Sequence, residues 1–187
     1  MHLRTYLTFW LSVPLRGDMV SSRAHDIFSI DYPSLAEHHD LLIFDVDDTL
    51  TAYKQEIGEQ TLELLKKLRQ NGWSIGIYSN CSAARTEQLN KLLQPLGIFN
   101  VQRSDKPHPD GFFEVTAEYN IPPYRTVMVG DKLGTDIFGS YLAGFAKRIL
   151  VEPYSATRGG RKADPWNRFV RLFEKLVYFG IFNRDEI

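Results

Sequence analysis

The sequence predicts an α/β fold, a three-layer sandwich in which helices cover both faces of a parallel central sheet. Short apolar runs alternate along the chain with segments of helical length, which is typical of βαβ units. The run at 41–44 is apolar throughout, as expected of a strand buried on both faces. The spacing between these segments leaves no room for a large cap domain.

The remaining elements follow from their apolar patterns and stop signals. Strands are predicted at 41–44, 73–78, 100–102, 125–129 and 147–151. Helices are predicted at 33–37, 59–70, 83–94, 109–119, 135–144 and 165–179. The second of these helices, for example, carries Leu62, Leu65 and Leu68 at helical spacing and ends at Gly72.

Composition limits the classes of function. The chain has 187 residues, of which 43% are hydrophobic and 24% charged, so we expect one domain with a substantial core. The net charge is -1, which excludes a global basic field, and we expect no stable binding of nucleic acid. The single cysteine, Cys81, excludes an internal disulfide and fits a reducing compartment. We therefore expect a cytoplasmic location.

The chain is predicted to divide into an N-terminal segment, residues 1–25, and a domain, residues 26–187, that includes the C-terminal helix. Residues 3–15 are apolar and aromatic but interrupted by Arg4, and they are too short to span a membrane. Two alternatives stay open: peripheral contact with the inner membrane surface, or packing on the domain, which we favour. Residues 18–40 are predicted to form a lead-in loop with one short helix.

Polar side chains follow four of the predicted strands. The carboxyl ends of parallel strands meet at one edge of a sheet, so we expect these side chains to lie together. An acidic turn is an adequate explanation for the first strand end alone, but four such ends favour a site. The residues are Asp45 and Asp47, Ser79 and Asn80, Lys106, and Asp131 with Asp136.

These residue types suit the transfer of a phosphoryl group. Asp45 and Asp47 are two residues apart, a spacing that puts both side chains on one side of extended backbone. With Asp131 they offer the oxygen-only ligands that Mg²⁺ prefers. Ser79 is suited to hydrogen-bond a phosphoryl oxygen, and Lys106 to offset negative charge. We therefore expect a phosphorylated substrate and a Mg²⁺ cofactor.

The same residues resemble the motifs of the haloacid dehalogenase-like (HAD) phosphohydrolases, which have a Rossmann-like fold. The resemblance extends from about residue 41 to residue 151. It rests on four motifs, which are Phe44 to Leu50, Ile77 to Asn80, Lys106-Pro107, and Gly130-Asp131 with Asp136.

The resemblance implies a role for each catalytic residue. Asp45 is the nucleophile that forms an aspartyl-phosphate, and Asp47 protonates the leaving group and then activates water. Ser79 and Lys106 hold the phosphoryl group, with Asn80 as a further substrate-binding residue. A carboxylate nucleophile divides one difficult displacement into two easier steps.

The resemblance also implies the metal ligands. Asp131 binds Mg²⁺ together with Asp45 and the backbone carbonyl of Asp47, and Asp136 supports that site. Asp48 receives no chemical role, and we expect it to shape the turn and brace the site.

A closer resemblance is to the capless YqeG subgroup (subclass III), which is similar to the mitochondrial phosphatidylglycerophosphate phosphatases. This resemblance includes residues 130–137 and, near the C-terminal end, residues 166–169. Asp48 and Lys132 depart from that subgroup's usual residues. These departures weaken the inference that this chain acts on the same substrate as the subgroup. A capless site is open to bulky substrates, because it has no lid.

Two alternatives stay open for the surroundings of the C-terminal helix, and two for those of the basic loop at 158–162. The helix either meets an anionic membrane surface or covers the sheet with its apolar side, which we favour. The loop either meets the membrane or is solvated. The apolar side of the helix consists of Trp166, Phe169, Val170, Phe173, Leu176 and Val177.

Three function hypotheses follow. The first is a Mg²⁺-dependent phosphatase of a bulky phosphomonoester such as phosphatidylglycerophosphate. The second is a HAD phosphatase of a soluble or nucleic-acid phosphomonoester. The third is a non-catalytic relative that binds a partner, and the intact set of catalytic residues argues against it.

Overall fold

The computed structural model describes residues 18–103 and 105–182, which are built around one parallel sheet of six strands. The strand order is β1-β6-β5-β2-β3-β4, and every neighbouring pair is parallel. The α/β class and the parallel sheet are therefore confirmed. The strands are β1 (Ser22–Ala24), β2 (Leu41–Phe44), β3 (Ser74–Ile77), β4 (Phe99–Asn100), β5 (Thr126–Gly130) and β6 (Lys147–Val151).

Helices connect these strands and cover both faces of the sheet. The helix Tyr154–Thr157 was not predicted. The bounds of the other helices agree with the predicted ones or differ by a few residues, in two cases because a short 3-10 or π-helical turn replaces a helix end. One such turn, Leu133–Ile137, directly precedes α5. The helices are α1 (Tyr32–Ala36), α2 (Glu59–Gln70), α3 (Ala83–Leu93), α4 (Asp110–Glu118), α5 (Phe138–Leu142), α6 (Tyr154–Thr157) and α7 (Pro165–Phe182).

The edge strand β1 was not predicted. It pairs with β6, with Ser22 beside Ile149, so the prediction of a loop with one helix over residues 18–40 is wrong at this point. Three residues are too few to show a period of two. The predicted stretch 3–15 lies outside the described residues, and the division of the chain at residue 25 stays a prediction.

The core lies on both faces of the central strands. β2 is buried along its whole length. One face packs against α2 and α3, for example through Leu65 and Leu89, and the other face packs against α4 through Val115. Gly76 in β3 permits this close packing, because a Cβ atom there would lie 2.2 Å from a methyl group of Val115. The sheet is therefore held rigidly at its centre.

The register of the central strands brings their ends together. In β2, Phe44 lies beside Ile77 of β3 and Val129 of β5. The residues that follow these three positions emerge at the same edge of the sheet, as the sequence predicted. Among the described residues, no helix is long and apolar enough to cross a membrane.

Candidate active site

Lys106 stands at the centre of the edge formed by these strand ends. Its Nζ atom lies 2.5 Å from Asp45 Oδ1 and 2.6 Å from Asp136 Oδ1, and all three side chains are buried. Burial by itself would lower the pKa of Lys106, but Asp136 and Asp45 favour its charged form and raise the pKa above its ordinary value. The ammonium group therefore stays charged and offsets two carboxylates.

Asp131 completes a cluster of three carboxylates with Asp45 and Asp136, here called the acidic trio. One oxygen atom from each lies within 4.8 Å of the others. Burial raises the pKa of both Asp131 and Asp136. The Oδ2 atom of Asp131 is buried and accepts no hydrogen bond from any described residue. An all-oxygen donor set with such an atom fits a hard divalent cation.

The carboxylate of Asp47 is not a member of the acidic trio, although the spacing had grouped it with Asp45 and Asp131. Its Oδ1 atom lies 2.9 Å from Arg85 Nη2 and accepts a hydrogen bond from the backbone N–H of Lys54. Burial and the nearby Asp45 raise the pKa of Asp47, whereas Arg85 lowers it. The predicted metal contact of Asp47 involves its backbone carbonyl, and that contact stays a prediction.

Ser79 and Asn80 follow β3 and line the same pocket as Asp45 and Asp47. Ser79 is buried. The Asn80 side chain donates a hydrogen bond to the carbonyl of Lys106 (3.0 Å) and accepts one from its backbone N–H (2.9 Å). Asn80 therefore fixes the position of Lys106, and its predicted contact with substrate stays a prediction.

The pocket has a volume of about 700 Å³. On one side the strand ends form its floor, and on the other α7 forms a wall. Basic side chains at its surface are Lys54, Arg85, Lys132 and Arg171. The wall residues from α7 are Trp166, Asn167, Val170, Arg171 and Glu174.

The orientation of α7 is opposite to the one favoured from the sequence. Its apolar side was expected to cover the sheet, and this expectation is wrong. Trp166 is 70% exposed, Phe169 56% and Leu176 63%, whereas Arg171 and Glu174 are buried. The side that carries Arg171, Glu174 and Tyr178 faces inwards, whereas Arg168 is exposed.

Three residues along this inward side hold α7. Arg171 Nη2 lies 3.0 Å from Asp48 Oδ2 and 2.6 Å from Asp131 Oδ2. One turn later, Glu174 Oε2 accepts a hydrogen bond from the backbone N–H of Gly134. Further on, the buried Tyr178 accepts one from the N–H of Val20 through its hydroxyl. These polar partners explain why the charged side is buried.

Asp48 connects the first motif to the C-terminal segment. Its backbone is left-handed, with φ at 67°, and its carbonyl accepts a hydrogen bond from the N–H of Tyr154. Its Oδ1 atom accepts a hydrogen bond from the hydroxyl of Ser155 at 2.7 Å, and its Oδ2 atom accepts one from Arg171. Asp48 thus shapes the turn, as expected, and also anchors α7.

Sequence reasoning missed two residues of the site, Arg85 and Arg171. Each pairs with a carboxylate far away in the chain, Asp47 at a separation of 38 residues and Asp48 at 123. A basic residue in an amphipathic helix is ordinarily solvated, so neither position carried a signal of its own.

Comparisons with known proteins agree with this arrangement. The model of the haloacid dehalogenase-like hydrolase family matches residues 55–140. A Bacillus subtilis protein described as "Probable phosphatase YqeG" is 26% identical over 119 residues, which cover 63% of this chain and 67% of that protein. The glyceraldehyde 3-phosphate phosphatase of Pyrococcus furiosus is 26% identical over 103 residues, which cover 52% of this chain and 42% of that protein. This chain therefore spans less than half the length of the second relative.

Solved structures also include similar folds. A HAD family hydrolase from Deinococcus radiodurans has a TM-score of 0.48 at 17% identity, covering 62% of this chain and 92% of that one. The fold, the four strand ends and the family match together indicate the class of protein, an enzyme with an α/β fold and a parallel sheet. More particularly, residues 55–140 are similar to the haloacid dehalogenase-like hydrolases.

Proposed function

We propose that this hydrolase is a Mg²⁺-dependent phosphomonoesterase that forms an aspartyl-phosphate on a bulky substrate, with phosphatidylglycerophosphate as the lead. The observation that carries the reaction class is the buried Lys106 between Asp45 and Asp136, beside the third carboxylate of the acidic trio. Two relatives are described as phosphatases, which supports the same class.

The chain's own carboxylates account for both chemical steps. A carboxylate oxygen of Asp45 attacks phosphorus while the bond from phosphorus to the leaving oxygen breaks, and Asp47 donates its proton to that oxygen. A raised pKa suits this donation. Asp47 then accepts a proton from the water that attacks the aspartyl-phosphate. This second step releases phosphate and restores Asp45 as a carboxylate and Asp47 as an acid.

The remaining site residues stabilise charge. The Ser79 hydroxyl donates a hydrogen bond to a phosphoryl oxygen, and Lys106 offsets negative charge on Asp45 and on the phosphoryl group. Asp45, Asp131 and Asp136 would hold Mg²⁺, which supplies further neutralisation of the phosphoryl oxygens when bound.

The exposed side of α7 supports a substrate with a large apolar part. Trp166 lines the pocket and also begins a row of aromatic rings on the helix surface. Its ring centroid lies 5.9 Å from that of Phe169, which lies 6.1 Å from that of Phe173. An apolar surface therefore continues from the pocket along the helix. Exposed aromatic residues of this kind suit a lipid interface.

The basic loop supplies charge beside this surface, although not all of it is exposed. Arg158 pairs with Asp26 at 2.8 Å and stacks over the ring of Phe28, so its predicted solvated or membrane-bound state is replaced by a structural contact. Arg161 and Lys162 are exposed and suit contact with anionic lipid. We propose peripheral binding of α7 and this loop to an anionic membrane.

A panel of substrates tests the proposal. Turnover of phosphatidylglycerophosphate in anionic vesicles, p-nitrophenyl phosphate and glyceraldehyde 3-phosphate is measured with Mg²⁺ and with EDTA. We expect turnover that needs Mg²⁺ and is fastest for the lipid. Faster turnover of the small soluble phosphates, without binding to vesicles, would instead support a phosphatase of a soluble phosphomonoester. The similarity to the glyceraldehyde 3-phosphate phosphatase of Pyrococcus furiosus is the observation that favours this alternative.

Variants of the exposed aromatic row isolate the membrane contact. The double variant Phe169→Ser with Phe173→Ser is expected to lose co-sedimentation with anionic vesicles while it retains turnover of p-nitrophenyl phosphate. Phe113→Ser, which changes a 43% exposed phenylalanine on α4, is the matched control. Unchanged vesicle binding by the double variant would remove α7 from the membrane contact.

A further inference from the structure

Arg171 is a buried guanidinium that α7 brings to the acidic trio. Its side chain is 8% exposed. Its hydrogen bond to Asp48 is well formed, at 3.0 Å. Its Nη2 atom lies closer to Asp131 Oδ2, at 2.6 Å, but without the alignment of a hydrogen bond, so that this oxygen lacks a donor within the described part of the chain. Arg171 thus meets Asp131 as a charge and meets Asp48 as a hydrogen-bond donor.

The position beside Asp131 is also one that a divalent cation would need. Asp131 is fully buried and belongs to the acidic trio. A guanidinium and a dication at the same buried carboxylate repel each other strongly, because the surrounding dielectric is low. Asp48 offers Arg171 a second carboxylate that is not a member of the trio. Arg171 therefore keeps a carboxylate partner, Asp48, if it is displaced from Asp131.

We propose that Arg171 is a positioning residue that couples α7 to the metal site: it neutralises Asp131 in the metal-free protein, and a divalent cation at the acidic trio displaces it from that carboxylate. This inference rests on the metal use proposed above. Because coupling between two sites is reciprocal, docking of Arg171 weakens metal binding by the same factor by which the metal weakens docking of α7.

The coupling has a consequence for the pocket. α7 is the wall that carries Trp166 and Val170, and Arg171 is the residue by which it contacts the carboxylates that follow β2 and β5. Loosening this contact when the metal binds would widen the pocket on the side where the exposed aromatic row begins. A chain without a large cap would in this way admit a bulky phosphomonoester more easily in its metal-loaded form, while Glu174 and Tyr178 keep α7 attached.

Calorimetric titration of Mg²⁺ into the full chain, without substrate, tests the competition. Arg171→Gln is expected to bind Mg²⁺ more tightly than the wild type, within the roughly 5- to 150-fold range of couplings between sites. Arg171→Lys keeps the charge and should stay closer to the wild type. Arg168→Gln, an exposed change on the same helix, is the matched control and should leave affinity unchanged. Equal or weaker binding by Arg171→Gln would overturn the competition, because it would mean that Arg171 orients Asp131 for the metal.

A measurement on the wild type keeps the test decisive if that variant does not fold. Hydrogen exchange of the peptides that cover α7 is compared with and without saturating Mg²⁺. We expect faster exchange in α7 with Mg²⁺, and slower or unchanged exchange in β2 and β5. Unchanged or slower exchange in α7 would overturn the coupling. Neither experiment measures turnover. The proposed coupling can therefore be contradicted while the proposed phosphatase activity is confirmed, and the reverse.

Discussion

The carboxyl edge of the sheet and helix α7 both bury charged side chains, but they do so by different routes. At the sheet edge, Asp45 and Asp131 follow apolar strands directly, and the strands carry them to their positions. In α7, Arg171 lies on a helix with a strong apolar side, and this apolar side remains exposed. The partner that buries Arg171 is Asp48, 123 residues earlier in the chain. A charged side chain can therefore be buried because it follows an apolar strand, or because it binds a residue far away in the chain. Only the first cause can be recognised from the local sequence.

The largest effect is expected at the sheet edge. Asp45→Asn replaces the nucleophile by an amide, so turnover of p-nitrophenyl phosphate with Mg²⁺ should fall by roughly 10⁴-fold or more. The fold should persist, because the change keeps the shape and removes one of three crowded carboxylates. Kinetics and thermal melting by circular dichroism check both points. The matched control is Asp110→Asn, which changes a half-exposed carboxylate on α4 and should retain full activity. Retained turnover in Asp45→Asn would exclude Asp45 as the nucleophile.

Loss of the central ammonium should give a large effect on stability. Lys106→Met leaves Asp45 and Asp136 without their shared counter-charge, which should lower the free energy of unfolding by about 3–5 kcal/mol. Urea unfolding without metal measures this change, and added Mg²⁺ should restore part of it. Lys91→Met, which removes an exposed pair with Glu87, should change stability by less than about 0.5 kcal/mol. Equal losses in the two variants would contradict the central role of Lys106.

The two sides of α7 can be compared within one helix. Tyr178→Ala removes a fully buried ring and should lower the free energy of unfolding by about 3–5 kcal/mol. Leu176→Ser changes a residue two positions away that is 63% exposed, and its effect should stay within about 0.5 kcal/mol. Thermal or urea unfolding distinguishes the two. A larger loss for Leu176→Ser would show that the apolar side of α7 faces inwards after all.

A smaller effect should follow from crowding Asp136. A Cβ atom at Gly130 would lie 2.5 Å from both Cβ and Oδ2 of Asp136, so Gly130→Ala must displace this carboxylate. We expect a loss of about 1–3 kcal/mol in stability from overpacking, together with weaker Mg²⁺ binding by calorimetry. Gly58→Ala, where no atom lies within 4 Å of the added Cβ, should leave Mg²⁺ binding unchanged. Wild-type affinity in Gly130→Ala would exclude Asp136 from the metal site.

Much of the fold and of the site could be predicted from short stretches of sequence. The apolar run of β2 and the acidic residues after it indicated a central strand with a polar end, and the same reasoning applied to Ser79 and Asp131. Asn80 shows the limit of this approach. The family resemblance implied contact with substrate, which stays a prediction, and the strand end gave no sign that the amide group holds the backbone of Lys106. A strand end indicates where a side chain lies, but not which neighbour it binds.

By itself, the sequence determined the parallel sheet and the set of side chains at its carboxyl edge, because strand polarity and the period of two follow from local pattern. Only the tertiary structure decided which side of α7 faces inwards. Helical periodicity shows that a helix has two sides, but the choice between them depends on the partners that each side meets. For α7 those partners are Asp48, Asp131 and the N–H of Gly134, which lie far away in the chain. They satisfy buried polar groups of the helix, while its apolar side stays exposed beside the pocket.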